Sequence, residues 1–218
     1  MVNFRLIERP AFEVVGKKTW IGGQDNDLFG RFWQESQSNG LLAALGRLRA
    51  GCSGPQTGGL TLGISRVEQD PSKREFFYMI AIEKPADCPQ DLLEGLETYR
   101  VPATQWAVFE CRGKVPESIV QAEMFAFMEW LPNSGYEHAL APEMEVYPNQ
   151  GDAYCEFWLP IQPKGAKKKV YRRGGALRRI SSAPSSIVLS VMSMTSKFPR
   201  WNTLFASRNS ISIPSGST

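Results

Sequence analysis

Pro102-Ala103-Thr104-Gln105-Trp106-Ala107-Val108-Phe109 restates, in the second half of the chain, a stretch met near its start, Pro10-Ala11-Phe12-Glu13-Val14-Val15-Gly16. Both open on Pro-Ala and continue as runs with period-2 alternation, the first to about Trp20, and both read as strands. The segments behind them are also alike. Behind the first lies a helical stretch, residues 25–49, with Phe29, Phe32 and Trp33 at i, i+3, i+4 spacing and Gly40 interrupting it. Behind the second, residues 116–131 place Ile119, Ala122, Phe127 and Trp130/Leu131 on one side. Asp25 and Asp27 suit the start of the first helix and Pro116 the first turn of the second. Two strands then come after each helix: 59–67 and Glu75–Glu83 in the first half, Glu143–Tyr147 and 153–161 in the second. The turns between them are Gln69-Asp70-Pro71-Ser72 and Pro148-Asn149-Gln150-Gly151-Asp152. Two strand-helix-strand-strand modules joined through residues 84–98 predict an α+β domain, one antiparallel sheet with two helices packed on one face. Two unrelated α+β segments are the alternative to a true duplication.

The charge of this 218-residue chain is divided between two segments. Residues 1–163 hold all 22 acidic residues and 14 of the 25 basic ones, while residues 164–218 hold no acid and 11 basic residues. This division predicts an acidic domain over 1–163 with a basic appendage over 164–218. No apolar run approaches the roughly 18 residues of a membrane span. Arg5, Glu8, Arg9 and Glu13 break any signal-peptide core, so a reduced, cytoplasmic setting is expected. Cys52, Cys88, Cys111 and Cys155 show no CxxC spacing, which points to neither a zinc site nor a disulfide framework. The single histidine, His138, falls in Gly135-Tyr136-Glu137-His138, read as a surface turn and as inert. No metal site and no cofactor are called for.

The last strand carries the chemistry. Cys155, Phe157, Leu159 and Ile161 form one apolar face, the natural side to pack on the helices, and Tyr154, Glu156, Trp158 and Pro160 form the other. A carboxylate between two aromatics in mid-strand must be solvated or paired. One reading is a cleft in which Glu156 meets a ligand cation while Tyr154 and Trp158 offer π faces, each contact contributing about 0.5–2 kcal/mol. The other is a solvent-facing glutamate beside two aromatics that anchor the sheet. Superposing Glu75–Glu83 on 153–161 by their apolar parity puts Phe77 in register with Glu156 and Met79 with Trp158, and Val14 corresponds to Trp106. These either line one wall of the cleft or pack in the core. A four-residue turn at 149–152 would further set Glu145 opposite Glu156 and Tyr147 opposite Tyr154, so that one of two facing acids keeps a raised pKa until a cation arrives. A change of register by one residue would send Glu145 to the other face.

Three stretches in order and spacing, Glu129-Trp130-Leu131-Pro132-Asn133-Ser134-Gly135-Tyr136-Glu137, Pro142-Glu143-Met144-Glu145-Val146-Tyr147 and Glu156-Phe157-Trp158-Leu159-Pro160-Ile161, resemble the closing half of a GyrI-like domain. This is the effector-binding domain also found in AraC- and MerR-type regulators. Phe12-Glu13-Val14-Val15-Gly16 is similar to that family's first strand, and the resemblance covers residues 4–163. It implies two strand-helix-strand-strand modules and a site for small, often cationic aromatic compounds with a glutamate on the final strand, where Glu156 stands. No helix-turn-helix for DNA precedes the domain. Binding and sequestration of an amphipathic cation is the expected function. A cofactor-free hydrolase of electrophilic natural products, with Glu156 as general base and Tyr154 or Tyr147 orienting the substrate, is the alternative. A module that inhibits a DNA-processing enzyme by occupying its basic groove is a second.

The basic, Ser-rich segment 164–218 matches nothing in that family, and its composition argues for disorder. Its charge would suit contact with nucleic acid, an anionic surface, a nuclear import receptor or the acidic domain itself; a solvated extension without a role is the other reading.

Overall fold

The computed structural model describes residues 2–22, 27–49, 56–57, 61–65, 75–88, 90–147 and 154–165. The expected turns at 69–72 and 148–152, the cap Asp25, Cys52 and all of the basic segment beyond Gly165 lie outside the described residues.

In chain order the elements are β1 (Phe4–Arg9), β2 (Phe12–Gly22), α1 (Asp27–Ser38), α2 (Leu41–Arg49), β3 (Thr61–Ser65), β4 (Glu75–Glu83), a 3-10 turn (Gln90–Leu93), β5 (Glu97–Val101), β6 (Thr104–Arg112), α3 (Glu117–Phe125), β7 (Tyr136–His138), β8 (Glu143–Tyr147) and β9 (Tyr154–Pro163). α3 runs on into a π-helical turn, Ala126–Trp130, and a last α-helical turn, Leu131–Asn133. The result is α+β, as expected: one antiparallel sheet in the order β1-β6-β9-β8-β3-β4-β2-β5, with β7 also paired to β9. Exchanging the two halves of the chain reverses this order onto itself. The first strand of each half crosses to the other: β1 pairs with β6 (Phe4↔Phe109) and β5 with β2 (Phe12↔Val101). The alternation in the sequence does not mark β1, β5 or β7.

The helical stretch around Gly40 is two helices. Gly40 takes a left-handed φ of +83°, which side-chain-bearing residues rarely adopt, and the chain turns there. Asn39 Oδ1 accepts a hydrogen bond from the Leu41 amide at 3.0 Å and so caps α2. Leu41, Leu45 and Leu48 of α2 then pack with Phe29, Phe32 and Trp33 of α1 over Phe76, Tyr78, Ile80 and Ile82 of β4. In the second half, Ile119, Ala122 and Ala126 come round at helical spacing onto Phe109, Phe157 and Leu159. The apolar parity expected of 153–161 holds: Cys155, Phe157, Leu159 and Ile161 are all on this helix-covered face.

The opposite face is buried too. Val14, Leu62, Ile64, Met79, Ala81, Val108 and Met144 are at most 1% exposed there, and among the described residues no helix residue belongs to that layer. The segment carrying Gln56 and Thr57 is tied down on it, both amides and the Thr57 hydroxyl donating to the buried carboxylate of Glu83 at 2.9–3.3 Å.

Two expectations need correction. On β8 and β9, Met144 pairs with Trp158, Glu145 with Phe157 and Val146 with Glu156, one residue out of the expected register. The apolar residues Met144 and Val146 belong to the helix-free layer with Trp158, and placing them there turns Glu145 and Tyr147 toward the helices. His138, expected in a surface turn, lies on β7 opposite Ile161, its side chain 9% exposed and bonded to Glu143. Cys111 and Cys155, distant in sequence, stand opposite one another on β6 and β9 as free thiols. Among the described residues, no helix is long and apolar enough to cross a membrane.

Candidate functional site

The central pair of the sheet is β8 and β3, and Glu145 on β8 stands opposite Gly63 on β3. Its side chain rises on the helix-covered face, at the seam where Trp33 of the first-half cluster meets Tyr147 of the second. Gly63 is what leaves room for it. A Cβ at Gly63 would lie 2.6 Å from Glu145 Oε2 and would collide with the Tyr78 hydroxyl. A glycine in a strand interior weakens the strand and marks such a close approach.

Around the half-buried carboxylate stand three aromatic residues. The hydroxyls of Tyr78, at 2.8 Å, and Tyr147, at 2.7 Å, both donate to Oε2. The Trp33 indole N–H donates in turn to the Tyr78 hydroxyl at 2.9 Å, which fixes the direction of the Tyr78 proton. The Trp33 ring meets Tyr147 edge-on, 5.1 Å between centroids, and Phe29 meets Tyr78 edge-on at 4.9 Å. Among the described residues Oε1 has no hydrogen-bond partner, and no Lys or Arg lies against the carboxylate. Burial pushes the Glu145 carboxyl above the usual carboxylate range, the two phenol hydrogen bonds pull it back, and the charge of Glu143 pushes it up again. Burial and then the Glu145 charge also raise Tyr78 and Tyr147 well above an ordinary phenol, so both stay protonated donors. A carboxylate kept short of a counter-ion among π faces is suited to attract an organic cation.

Glu156 is placed differently. On the helix-free face its Oε1 accepts from Arg5 Nη2 at 2.8 Å and from the Tyr154 hydroxyl at 2.6 Å, and its Oε2 from the Trp158 indole N–H at 2.8 Å. The Arg5 guanidinium meets the charge that a ligand cation would otherwise meet. Burial, followed by the hydrogen bond to Glu156 and then its charge, pushes Tyr154 up to about 12. Trp158, Trp106 and Met79 are at most 3% exposed in the packed layer, and Trp106 and Trp158 meet at 5.8 Å. Burying a side chain of this size stabilises by about 1.5–3 kcal/mol, so clearing such a layer for a ligand would cost several times that. Phe77 is half-buried at the margin of the layer, with Trp20 edge-on at 4.9 Å and Lys18 Nζ 4.4 Å from its centroid. The residues singled out from the sequence therefore divide between two faces. Glu145 and Tyr147 share one, and Glu156, Tyr154, Trp158, Trp106, Phe77 and Met79 share the other.

Trp33, Tyr78 and Gly63 escape the sequence reading. Each left a signal: a tyrosine on the otherwise apolar face Phe76, Ile80, Ile82, a glycine in mid-strand, and a tryptophan on the buried stripe of α1. What no pattern states is that three separate segments converge on the carboxylate of a fourth.

Over 166 residues the chain is 27% identical to the transcriptional regulator BrlR of Pseudomonas aeruginosa; the match takes in 73% of this chain and 56% of BrlR, so the chain spans about half the length of that regulator. The structure of SAV2435 bound to tetraphenylphosphonium superposes with a TM-score of 0.59 at 23% identity, covering 73% of this chain and 94% of that one. EcmrR in its complex with DNA superposes at 0.50 and 17% identity, covering 74% of this chain and 58% of that one. At these identities the two superpositions speak for the fold. Residues 3–162 match the model of the GyrI-like small molecule binding domain, nearly three quarters of the chain, and this protein belongs to that family.

Proposed function

We propose that the domain captures a small amphipathic cation with aromatic groups, and that Glu145, not Glu156, supplies the charge that receives it. One observation carries this reading: Glu145 is a half-buried carboxylate whose Oε2 is held by two phenols while Oε1 has no hydrogen bond among the described residues. Trp33, Tyr78 and Tyr147 provide the π faces. A cation entering this site would return the electrostatic energy lost on burying the acid, and each π contact adds about 0.5–2 kcal/mol. The tetraphenylphosphonium bound by SAV2435 is of this chemical class and gives the first ligand to try.

The test is calorimetric titration of tetraphenylphosphonium into the full chain, Glu145→Gln and Glu156→Gln. Losing a charge-assisted contact of about 1.5–3 kcal/mol corresponds to roughly a 10- to 100-fold weaker Kd for Glu145→Gln. Glu156→Gln is expected to bind within about twofold of the parent chain, an effect too small to count as a lost contact. Greater loss in Glu156→Gln than in Glu145→Gln would return the role to the helix-free face.

The raised carboxyl of Glu145 between two protonated phenols favours one second reading, hydrolysis of an electrophilic ligand with Glu145 as general base and Tyr78 or Tyr147 as proton donor. Incubation with an electrophilic natural-product-like compound separates the two. Sequestration returns it intact on denaturation, whereas hydrolysis returns a water adduct.

A further inference from the structure

Cys111 and Cys155 hold no hydrogen bond to Glu145 or its phenols, yet the register of β6 and β9 sets the two thiols opposite one another on the helix-covered face. Both are buried, at most 1% exposed. Directly opposed residues of an antiparallel pair have Cα atoms about 4.5–5.5 Å apart, inside the span of about 4.4–6.8 Å that a disulfide bridges. The rung lies next to the end of the ladder. The pair that follows it, Arg112 and Tyr154, joins the last residue of β6 to the first of β9.

From this placement we propose that Cys111 and Cys155 form a reactive dithiol that reduces a small hydroperoxide and closes to a disulfide between β6 and β9. The Cys155 thiolate attacks one peroxide oxygen. The O–O bond breaks, an S–O bond forms, and the leaving oxygen takes up the proton that Cys155 gave up, departing as an alcohol, or as water from hydrogen peroxide. Cys155 is then a sulfenic acid. The Cys111 sulfur attacks the Cys155 sulfur; the S–S bond forms, the S–O bond breaks, and hydroxide leaves with the Cys111 proton as water. Two electrons pass from the thiols to the peroxide, and a dithiol such as dithiothreitol returns them.

The surroundings divide the roles. Ser118 Oγ of α3, itself buried, lies 3.9 Å from Cys155 Sγ, and Cys111 Sγ lies 3.7 Å from the carbonyl oxygen of Phe109, an acceptor. The hydrogen bond from Cys111 brings the Cys155 thiol below its ordinary value; burial opposes this and the Ser118 hydroxyl adds to it. The hydrogen bond to Cys155, and then burial, hold Cys111 above the ordinary value. Cys155 is therefore the sulfur that ionises and attacks, and Cys111 keeps its proton until it resolves the sulfenic acid. Access is by the strand end, where the Arg112 side chain is 70% exposed. Ladder ends open locally at little cost, so sulfurs one rung inside meet a small solute without unfolding of the domain. The same constraint excludes bulky oxidants.

The test is hydrogen peroxide added to the native full chain, and to the variant Cys52→Ser/Cys88→Ser, in which only the pair remains. After denaturation and alkylation, unreduced digests of both should contain the Cys111 and Cys155 peptides joined and lighter by two hydrogens, and dithiothreitol should part them. Oxidation should raise Tm by several degrees and reduction should restore it, because the bridge closes a long loop of the unfolded chain. With dimedone present, Cys111→Ser should trap the sulfenic acid on Cys155, and Cys155→Ser should leave Cys111 unmodified. The chain that keeps both cysteines decides the matter if either of these variants folds poorly. Two thiols that still alkylate after peroxide, a bridge that forms only in urea, or oxidation of each sulfur without a bridge overturns the inference. Dimedone on Cys111 in Cys155→Ser overturns the assignment of the attacking sulfur.

Discussion

Glu145 stands opposite Phe157, and Val146 opposite Glu156, so the two carboxylates leave the sheet on opposite faces. The consequence is a division of labour. Glu156 is tied to Arg5, Tyr154 and Trp158 and holds the helix-free side of β9 in place. Among the described residues Glu145 is met by neutral donors, the hydroxyls of Tyr78 and Tyr147.

Removing the Glu156 carboxylate should therefore be felt in stability. Glu156→Ala strands the Trp158 indole N–H in a layer where that ring is 3% exposed, at a cost of about 1–3 kcal/mol. Arg5, with 46% of its side chain exposed, should lose at most about 1 kcal/mol on Arg5→Ala, because solvent screens the pair. Urea denaturation of both variants checks the order; a larger loss for Arg5→Ala would mean that the ion pair, not the indole bond, anchors this strand.

Stability should also depend on pH through Glu145. Its folded-state pKa is raised above the ordinary value of 4.5. The folded form thus favours the proton, and the stabilisation that comes with protonation is complete below the ordinary value and is lost as pH rises through the raised one. Glu145→Gln removes this loss. Its Tm relative to the parent chain should climb with pH above about 4.5 and reach equality or better at neutral pH. A difference that stays flat with pH would show that Glu145 does not titrate differently in the folded state.

Gly63 carries a steric prediction. The Cβ of Gly63→Ala would require both Glu145 Oε2 and the Tyr78 hydroxyl to move. We expect a loss of about 1–3 kcal/mol in stability together with weaker tetraphenylphosphonium binding, as is usual for overpacking. Unchanged stability and affinity would mean that both side chains can step aside.

Tyr78→Phe takes a hydrogen bond from Glu145 and leaves the Trp33 indole N–H without its acceptor. Because that bond lowers the Glu145 pKa, its loss should move the pH dependence of cation affinity to higher pH, with about 1–2 kcal/mol lost in stability. Tyr147→Phe should reproduce the pH shift without stranding the indole. Equal pH profiles in all three chains would show that the phenols do not tune the acid.

The order of strands and helices, the helix-facing side of β9 and the break at Gly40 are local matters. Alternation, helical spacing and a residue free to take positive φ declare β2, β4, β6, β8, β9, the helical stretches and the break at Gly40 in the sequence, whereas β1, β5 and β7 carry no such mark. The partner of Glu145 is not local. It depends on the register between β8 and β9, where a shift of one residue exchanges the faces, and that register comes from packing Met144 and Val146 with Trp158. Tyr78 from β4 reaches that carboxylate, with Gly63 of β3 leaving room for it and Trp33 of α1 bonded to the Tyr78 hydroxyl, only because the sheet brings β3, β4 and β8 side by side beneath α1. His138 and Glu143 likewise meet through a bulge that no periodicity announces. Composition and period determined which side chains would be available; the tertiary structure decided which of them would share a face, because in a sheet the sign of every neighbour relation rests on a single residue of register.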